Sequence, residues 1–155
     1  MKYTIAFILA TCIVALQVSA VEEQETSPQK VIEALFDAMR AGDKEALLSH
    51  WVEGASLRRV TSKGEVKGDA LPRWSEWVGT LDQGAADEKI FDLKVTQFGN
   101  LATVWAPFTI HFNGKLVGCG VNTFILAKPK GKNWKIVSGM DTDHKGDCAE
   151  YGPSK

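Results

Sequence analysis

The chain has 155 residues, 45% hydrophobic and 24% charged, with a formal net charge of −1. That balance excludes disordered and collagen-like classes and the basic footprint of a nucleic-acid binder, and the length suits one domain. No activity follows from these values.

Residues 1–20 read MKYTIAFILATCIVALQVSA. Lys2 precedes an apolar run from Tyr3 to Leu16, and Val18-Ser19-Ala20 puts small residues where a signal peptidase cuts. The pattern is that of a secretory signal peptide cleaved after Ala20. The alternative, a membrane anchor, needs about 20 apolar residues, more than this run supplies. Cys12 sits inside the run, whereas a lipoprotein cysteine would follow it. The chain is therefore expected to be exported, periplasmic or secreted, with no membrane contact after cleavage. Loss of Lys2, with no acid beside it, takes the net charge from −1 to −2. Loss of Cys12 leaves Cys119 and Cys148. Two cysteines in an exported chain point to a disulfide; the alternative is one buried thiol and one free thiol near the terminus.

Residues 21–27 (VEEQETS) are polar without period and read as a disordered lead-in. Ser27-Pro28 then opens a helix, Ser as N-cap and Pro at the first helical position. Val31, Ile32, Leu35, Phe36 and Met39 share one face of it. Ala41-Gly42 ends it, and Asp43 caps a second, short helix through Ala46, Leu47, Leu48 and Trp51. Residues 55–60 and 64–67 are short strand candidates. Asp69 caps a third helix whose apolar stripe is Leu71, Trp74, Trp77, Val78 and Leu81, with Pro72 tolerated in the first turn. Gln83 to Asp87 reads as a loop.

From Ile90 the period becomes alternating. Strands are predicted over 90–98, 101–112, 115–127 and 133–141. Asn113-Gly114 is a two-residue hairpin signal, because both positions need positive φ. Helices followed by strands predict an α+β fold, three helices in the concavity of a curved antiparallel sheet. Ala102, Val104, Ala106, Phe108, Ile110 and Phe112 should face the helices. A tight turn at 113–114 puts Phe108 opposite Cys119 and brings Val117, Cys119, Val121, Thr123 and Ile125 inward. Pro107 and Gly118-Cys119-Gly120 are bulge signals, and a bulge would turn Asn122, Phe124 and Leu126 inward instead.

The run Ala102-Thr103-Val104-Trp105-Ala106-Pro107-Phe108, then Asn113-Gly114-Lys115, Cys119-Gly120-Val121-Asn122-x-Phe124-x-Leu126, Trp134-Lys135-Ile136 and Asp141-Thr142, resembles exported proteins of the nuclear-transport-factor-2-like (NTF2-like) superfamily. Within it the chain looks like the SnoaL-like, lumazine-binding branch. The resemblance covers residues 28–148, leaving 149–155 as a tail. It implies a cone-like α+β barrel, a curved sheet wrapped around helices with a pocket at its wide end. Three positions depart from the family pattern. Phe108 replaces a Tyr, Gly118 a His, and Asp143-His144 a basic pair, which takes polar groups away from the pocket region.

A pocket enzyme of this type needs a buried carboxylate or His as base and a donor for the developing oxyanion. The candidates are His50 and Asp141. For His50 the alternative is an interaction with the carbonyls at a helix end; for Asp141 it is a turn formed with Thr142. His111 is expected on the solvated outer face. No Ser-His-Asp or Cys-His motif is present, and a disulfide would silence Cys119 as a nucleophile. Asp141-x-Asp143 with Gly146 opens like a calcium loop, but Lys145 takes a ligand position and the twelfth residue is Gly152, so no metal is expected. No cofactor is implied.

Trp51, Trp74, Trp77, Phe108 and Ile110 are expected to surround a mostly apolar cavity for a small ring-shaped molecule, with simple core packing as the alternative. Trp105, on the opposite sheet face with Leu101 and Pro107, suggests a homodimer. The expected function is thus an exported small-molecule-binding domain. The alternatives are a metal-independent acid–base isomerase, dehydratase or cyclase of the ketosteroid-isomerase-like type, or a pure dimerisation module. A carboxylate or His facing the cavity, within hydrogen-bond reach of a second donor, would favour the enzyme, and a dry, purely apolar cavity would favour binding or simple structure. The bridge Cys119–Cys148 is expected on the register of the last two strands. That register puts Cys119 opposite Asp141, with Gly146 easing the return of the chain.

Overall fold

The structure is a computed structural model describing residues 26–144 and 147–153. The predicted signal peptide and most of the lead-in lie outside the described residues, as do Lys145 and Gly146.

Helix α1 (Pro28–Ala41) starts as its sequence requires. The Ser27 side chain accepts a hydrogen bond from Lys30 N–H, Pro28 occupies the first turn, and Gly42 closes the other end. Asp43 accepts from Ala46 N–H at 2.8 Å and caps α2 (Lys44–Ser49). Strand β1 (Trp51–Val60) follows, then β2 (Val66–Lys67) and α3 (Leu71–Val78). Asp69 stands one residue before the α3 cap position, and its carboxylate accepts from both Leu57 N–H and Leu71 N–H. The remaining strands are β3 (Ala86–Ile90), β4 (Lys94–Phe98), β5 (Leu101–Phe112), β6 (Lys115–Ala127) and β7 (Lys135–Asp143).

The seven strands form one curved sheet in the order β2-β1-β7-β6-β5-β3, with β4 also paired to β5. The fold is α+β as expected, but the sheet is mixed, because β1 runs parallel to β7. That pairing corrects the expected place of Trp51. Its spacing from Leu47 suits a helix, yet it begins β1 opposite Ile136, whose N–H donates to His50 O at 2.8 Å. Non-local pairing overrides the local period.

The expected strand 90–98 is two strands, and Ala86 and Asp87, read as loop, already belong to the first. The break lies opposite Pro107, whose carbonyl accepts from Phe91 N–H. The same residue has no N–H to return on that side, and Asp92 leaves the ladder at φ 48°.

Asn113 and Gly114 take φ 50° and 76°, the hairpin turn their sequence signals. Phe112 pairs with Lys115 as expected, but the register shifts at Ile110/His111, so Thr109, not Phe108, lies opposite Cys119. The shift realises the bulge alternative. Asn122, Phe124 and Leu126 are buried on the inner face, whereas Val117, Ile125 and Phe112 are exposed. Cys119 falls on the outer face with Val121 and is covered there by the C-terminal segment.

The core lies between α1 and the inner sheet face. Ile32, Leu35, Phe36 and Met39 meet Val104, Ala106, Phe124, Leu126 and Ile136. Phe36 and Trp51 both make T-shaped contacts with Phe124, at centroid distances of 6.1 and 6.2 Å. Phe108 packs over Gly120, where a Cβ would stand 3.1 Å from its ring and 2.0 Å from Thr142 O. Only glycine permits that approach.

Cys119 and Cys148 form the expected disulfide, with Cα atoms 5.5 Å apart. The register that produces it differs from expectation. Gly120 pairs with Asp143 and Cys119 O accepts from His144 N–H, so the last strand runs two residues further than predicted. The segment read as a tail, 149–155, is packed in part. A 3₁₀ turn spans Cys148–Glu150, and Tyr151 stacks on His144 and meets the edge of Phe91. Among the described residues, no helix is long and apolar enough to cross a membrane.

Candidate functional site

A cavity of about 510 Å³ opens between α1, α3, β1 and the inner sheet face. Its apolar walls come from Phe36 and Met39 on α1, Trp74 and Trp77 on α3, Ile110 on β5 and Phe124 on β6. The spacing of Trp74 and Trp77 places both on the same side of α3. Trp77 also stacks on Phe112 at 6.3 Å.

Of the residues expected around the cavity, Trp74, Trp77 and Ile110 line it. Trp51 and Phe108 do not. Trp51 is committed to β1 and borders a shallower depression outside, and Phe108 is spent on covering Gly120. His50 is also outside. It ends α2, and burial, assisted by the charge of Lys135, lowers its pKa. His111 pairs with Asp87 across the strands and is partly buried rather than solvated. Asp141 does stand on the cavity wall, but it is engaged. The Arg59 guanidinium grips its carboxylate with Nε, at 2.9 Å, and with Nη2, and this bond raises the pKa of Arg59. Asp143 stands 3.9 Å from the same guanidinium. The two acids of the calcium-like motif thus face a cation.

Arg59, Asp141 and Asn122 lie side by side on β1, β7 and β6. The register therefore sets a polar row across an otherwise apolar face. Beyond it stands a residue that sequence reasoning missed. Glu88 on β3 is buried, lines the cavity and accepts a 2.6 Å hydrogen bond from the Asn122 side-chain amide. Burial pushes its pKa up to about 7, only partly opposed by the bond from Asn122. A carboxyl of that kind exchanges a proton near neutrality, as base when ionised and as acid when protonated. The available signal is the alternation Ala86-x-Glu88-x-Ile90, an acid between two apolar residues of one strand face. An alternating period that begins at Ile90 starts too late to include it.

Lys67 on β2 and Arg73 in the first turn of α3 stand at the mouth, while Arg58 on β1, opposite Met140, borders both this cavity and the groove on the outer sheet face. Lys67 pairs with Glu65 at 2.7 Å. Among the described residues, Arg58 and Arg73 have no ion-pair partner. No group of three or more His, Cys, Asp or Glu side chains able to hold a metal occurs among the described residues.

No protein-family model matches the chain, and no curated protein matches it. Solved structures do. The chain is similar to a candidate dehydratase of the NTF2-like family from Streptomyces avermitilis, at 20% identity and TM-score 0.61, over 76% of this chain and 94% of that one. An NTF2-like protein of unknown function from Shewanella baltica matches at 15% identity and TM-score 0.58, over 76% and 91%. A candidate association domain of a calcium/calmodulin-dependent protein kinase type II from Thiobacillus denitrificans matches at 9% identity and TM-score 0.58, over 78% and 98%. The fold is therefore the NTF2-like α+β cone that the sequence resemblance implied.

Proposed function

We propose that this protein is exported and binds a small, flat, largely apolar molecule in its cone pocket. The observation that carries the reading is the cavity of about 510 Å³ walled by Trp74, Trp77, Phe36 and Phe124, with one buried polar pair inside. The Cys119–Cys148 disulfide is compatible with export. Calorimetric titration of ring compounds into the mature protein tests the binding. The expected result is saturable binding that Trp74→Ala weakens; no binding across a broad ring-compound library would refute it.

A second reading, acid–base catalysis without metal, is favoured by Glu88. It is a cavity carboxyl held by Asn122, and its proton is exchangeable near pH 7. Such a group could take a proton from a carbon beside a carbonyl and return it elsewhere, the chemistry of an isomerase or dehydratase. The dehydratase description of the Streptomyces avermitilis protein agrees with this reading. Incubating ring ketones with the protein in D₂O checks it. Deuterium uptake that Glu88→Gln abolishes is expected, and uptake unchanged in that variant overturns it.

We also propose a homodimer through the outer sheet face. Trp105, Ile125 and Met140 are exposed there, and with Val121 they border a groove of about 490 Å³.

A further inference from the structure

At one end of the sheet two turns meet. The β4–β5 hairpin turns at Gly99-Asn100, and Lys128, the first residue of the β6–β7 connection, donates its N–H to Asn100 O at 2.9 Å. Phe98 and Leu101 flank the hairpin turn as a cross-strand pair, so both side chains stand on one face. They are exposed at 91% and 55%, and Phe98 is the most exposed large apolar side chain among the described residues. The connection beside them reads KPKGKNWK over 128–135, four lysines and no acid, in a chain of net charge −1. Lys130 and Lys132 are exposed and have no ion-pair partner among the described residues. Strand β4 carries no acid either. Thr26 N–H donates to Asn133 Oδ1 at 3.5 Å; the acids just before it, Glu22, Glu23 and Glu25, lie outside the described residues and number three against the four lysines.

We propose that this end of the sheet docks on an anionic phospholipid surface, with Phe98 and Leu101 inserted and Lys130 and Lys132 against the phosphates. A soluble polyanion would engage the lysines and leave Phe98 in water. A bilayer engages both, because the apolar pair enters the boundary between headgroups and acyl chains while the ammonium groups stay at the charged surface. The groove bordered by Trp105, assigned above to the pairing of two copies, includes neither Phe98 nor Leu101. Leu101 stands about 13 Å along β5 from Trp105. The expectation of no membrane contact rests on the lack of a spanning segment after the leader, and attachment to a surface needs none.

The test is co-sedimentation of residues 21–155 with vesicles in low-salt buffer, so that the apolar run of residues 1–20 does not itself enter the bilayer. Vesicles of phosphatidylcholine with about one-third phosphatidylglycerol are expected to bind the protein far more tightly than phosphatidylcholine alone, and added salt should weaken the binding. Lys130→Gln/Lys132→Gln should weaken it about thirtyfold, and Phe98→Ser about tenfold. Both sites are exposed, so each variant should keep the thermal unfolding of the wild type. In Phe98→Trp the fluorescence emission should move to shorter wavelength when anionic vesicles are added. Anionic vesicles left unbound by the wild type, or equal binding to neutral and anionic vesicles, overturns the inference. Binding that Phe98→Ser leaves unchanged also overturns it and assigns the lysines to a soluble polyanion.

Discussion

Glu88 carries the clearest consequence of a single side chain's surroundings. In the unfolded chain its carboxyl ionises near pH 4.5, whereas in the fold it keeps its proton up to about pH 7. Between those values the native state binds more protons than the unfolded state, so the contribution of this group falls as pH rises, by about 3 kcal/mol in all. Glu88→Gln keeps a carbonyl acceptor for Asn122 and does not ionise. It is expected to match the wild type in unfolding free energy near about pH 4 and to exceed it at about pH 8, as measured by denaturant titration at both values. A difference that does not change with pH would assign the effect elsewhere. Gly120 is the second such residue. A Cβ there would stand 2.0 Å from Thr142 O, so Gly120→Ala must part β6 from β7 or displace Phe108. A loss of about 3 kcal/mol is expected in the same measurement.

The strands show how connections shape the site. β7 is held on both sides, antiparallel by β6 and parallel by β1, and this places Asp141 between Asn122 and Arg59. Past its end the chain is fastened at Cys119 by the bridge from Cys148. The disulfide joins residues 29 apart in sequence. On the chain-entropy model, closing a loop of that length contributes about 3.5 kcal/mol. Cys119→Ser/Cys148→Ser is expected to lower unfolding free energy by an amount of that order and to free Tyr151 from Phe91. Thiol counting on the denatured, unreduced chain should find neither Cys119 nor Cys148 reactive.

The two faces of the cone differ in what they expose. The inner face carries the core and the cavity, while the outer face exposes Trp105 at 47%, Ile125 at 40% and Met140 at 38%. Pairing two copies through that face would remove these side chains from water, each contributing in proportion to the apolar area covered. Sedimentation at micromolar concentration is expected to give a dimer for the wild type and a monomer for Trp105→Lys. A monomeric wild type would refute the pairing.

Features made by neighbouring residues are legible in the sequence alone. Ser27-Pro28 sets the start of α1, Gly42 its end, and Asn113-Gly114 the β5–β6 hairpin, because each depends on the conformational range of one or two residues. The helical stripe of α1 and the alternation of β5 likewise name the two halves of the core. Both inward registers of β6 follow from its alternation, and the bulge at Ile110/His111 decides between them. Trp51 has helical spacing from Leu47 and becomes a strand residue through Ile136, 85 positions away. Of the five expected pocket residues, three line the cavity, since which aromatic side chains remain uncovered depends on how α3 and β1 pack on the sheet. Glu88 and Asn122 lie 34 residues apart, and nothing local joins them. The curvature of the sheet brings the carboxyl to the amide and removes both from water, and that burial, a property of the packed fold, raises the pKa of Glu88.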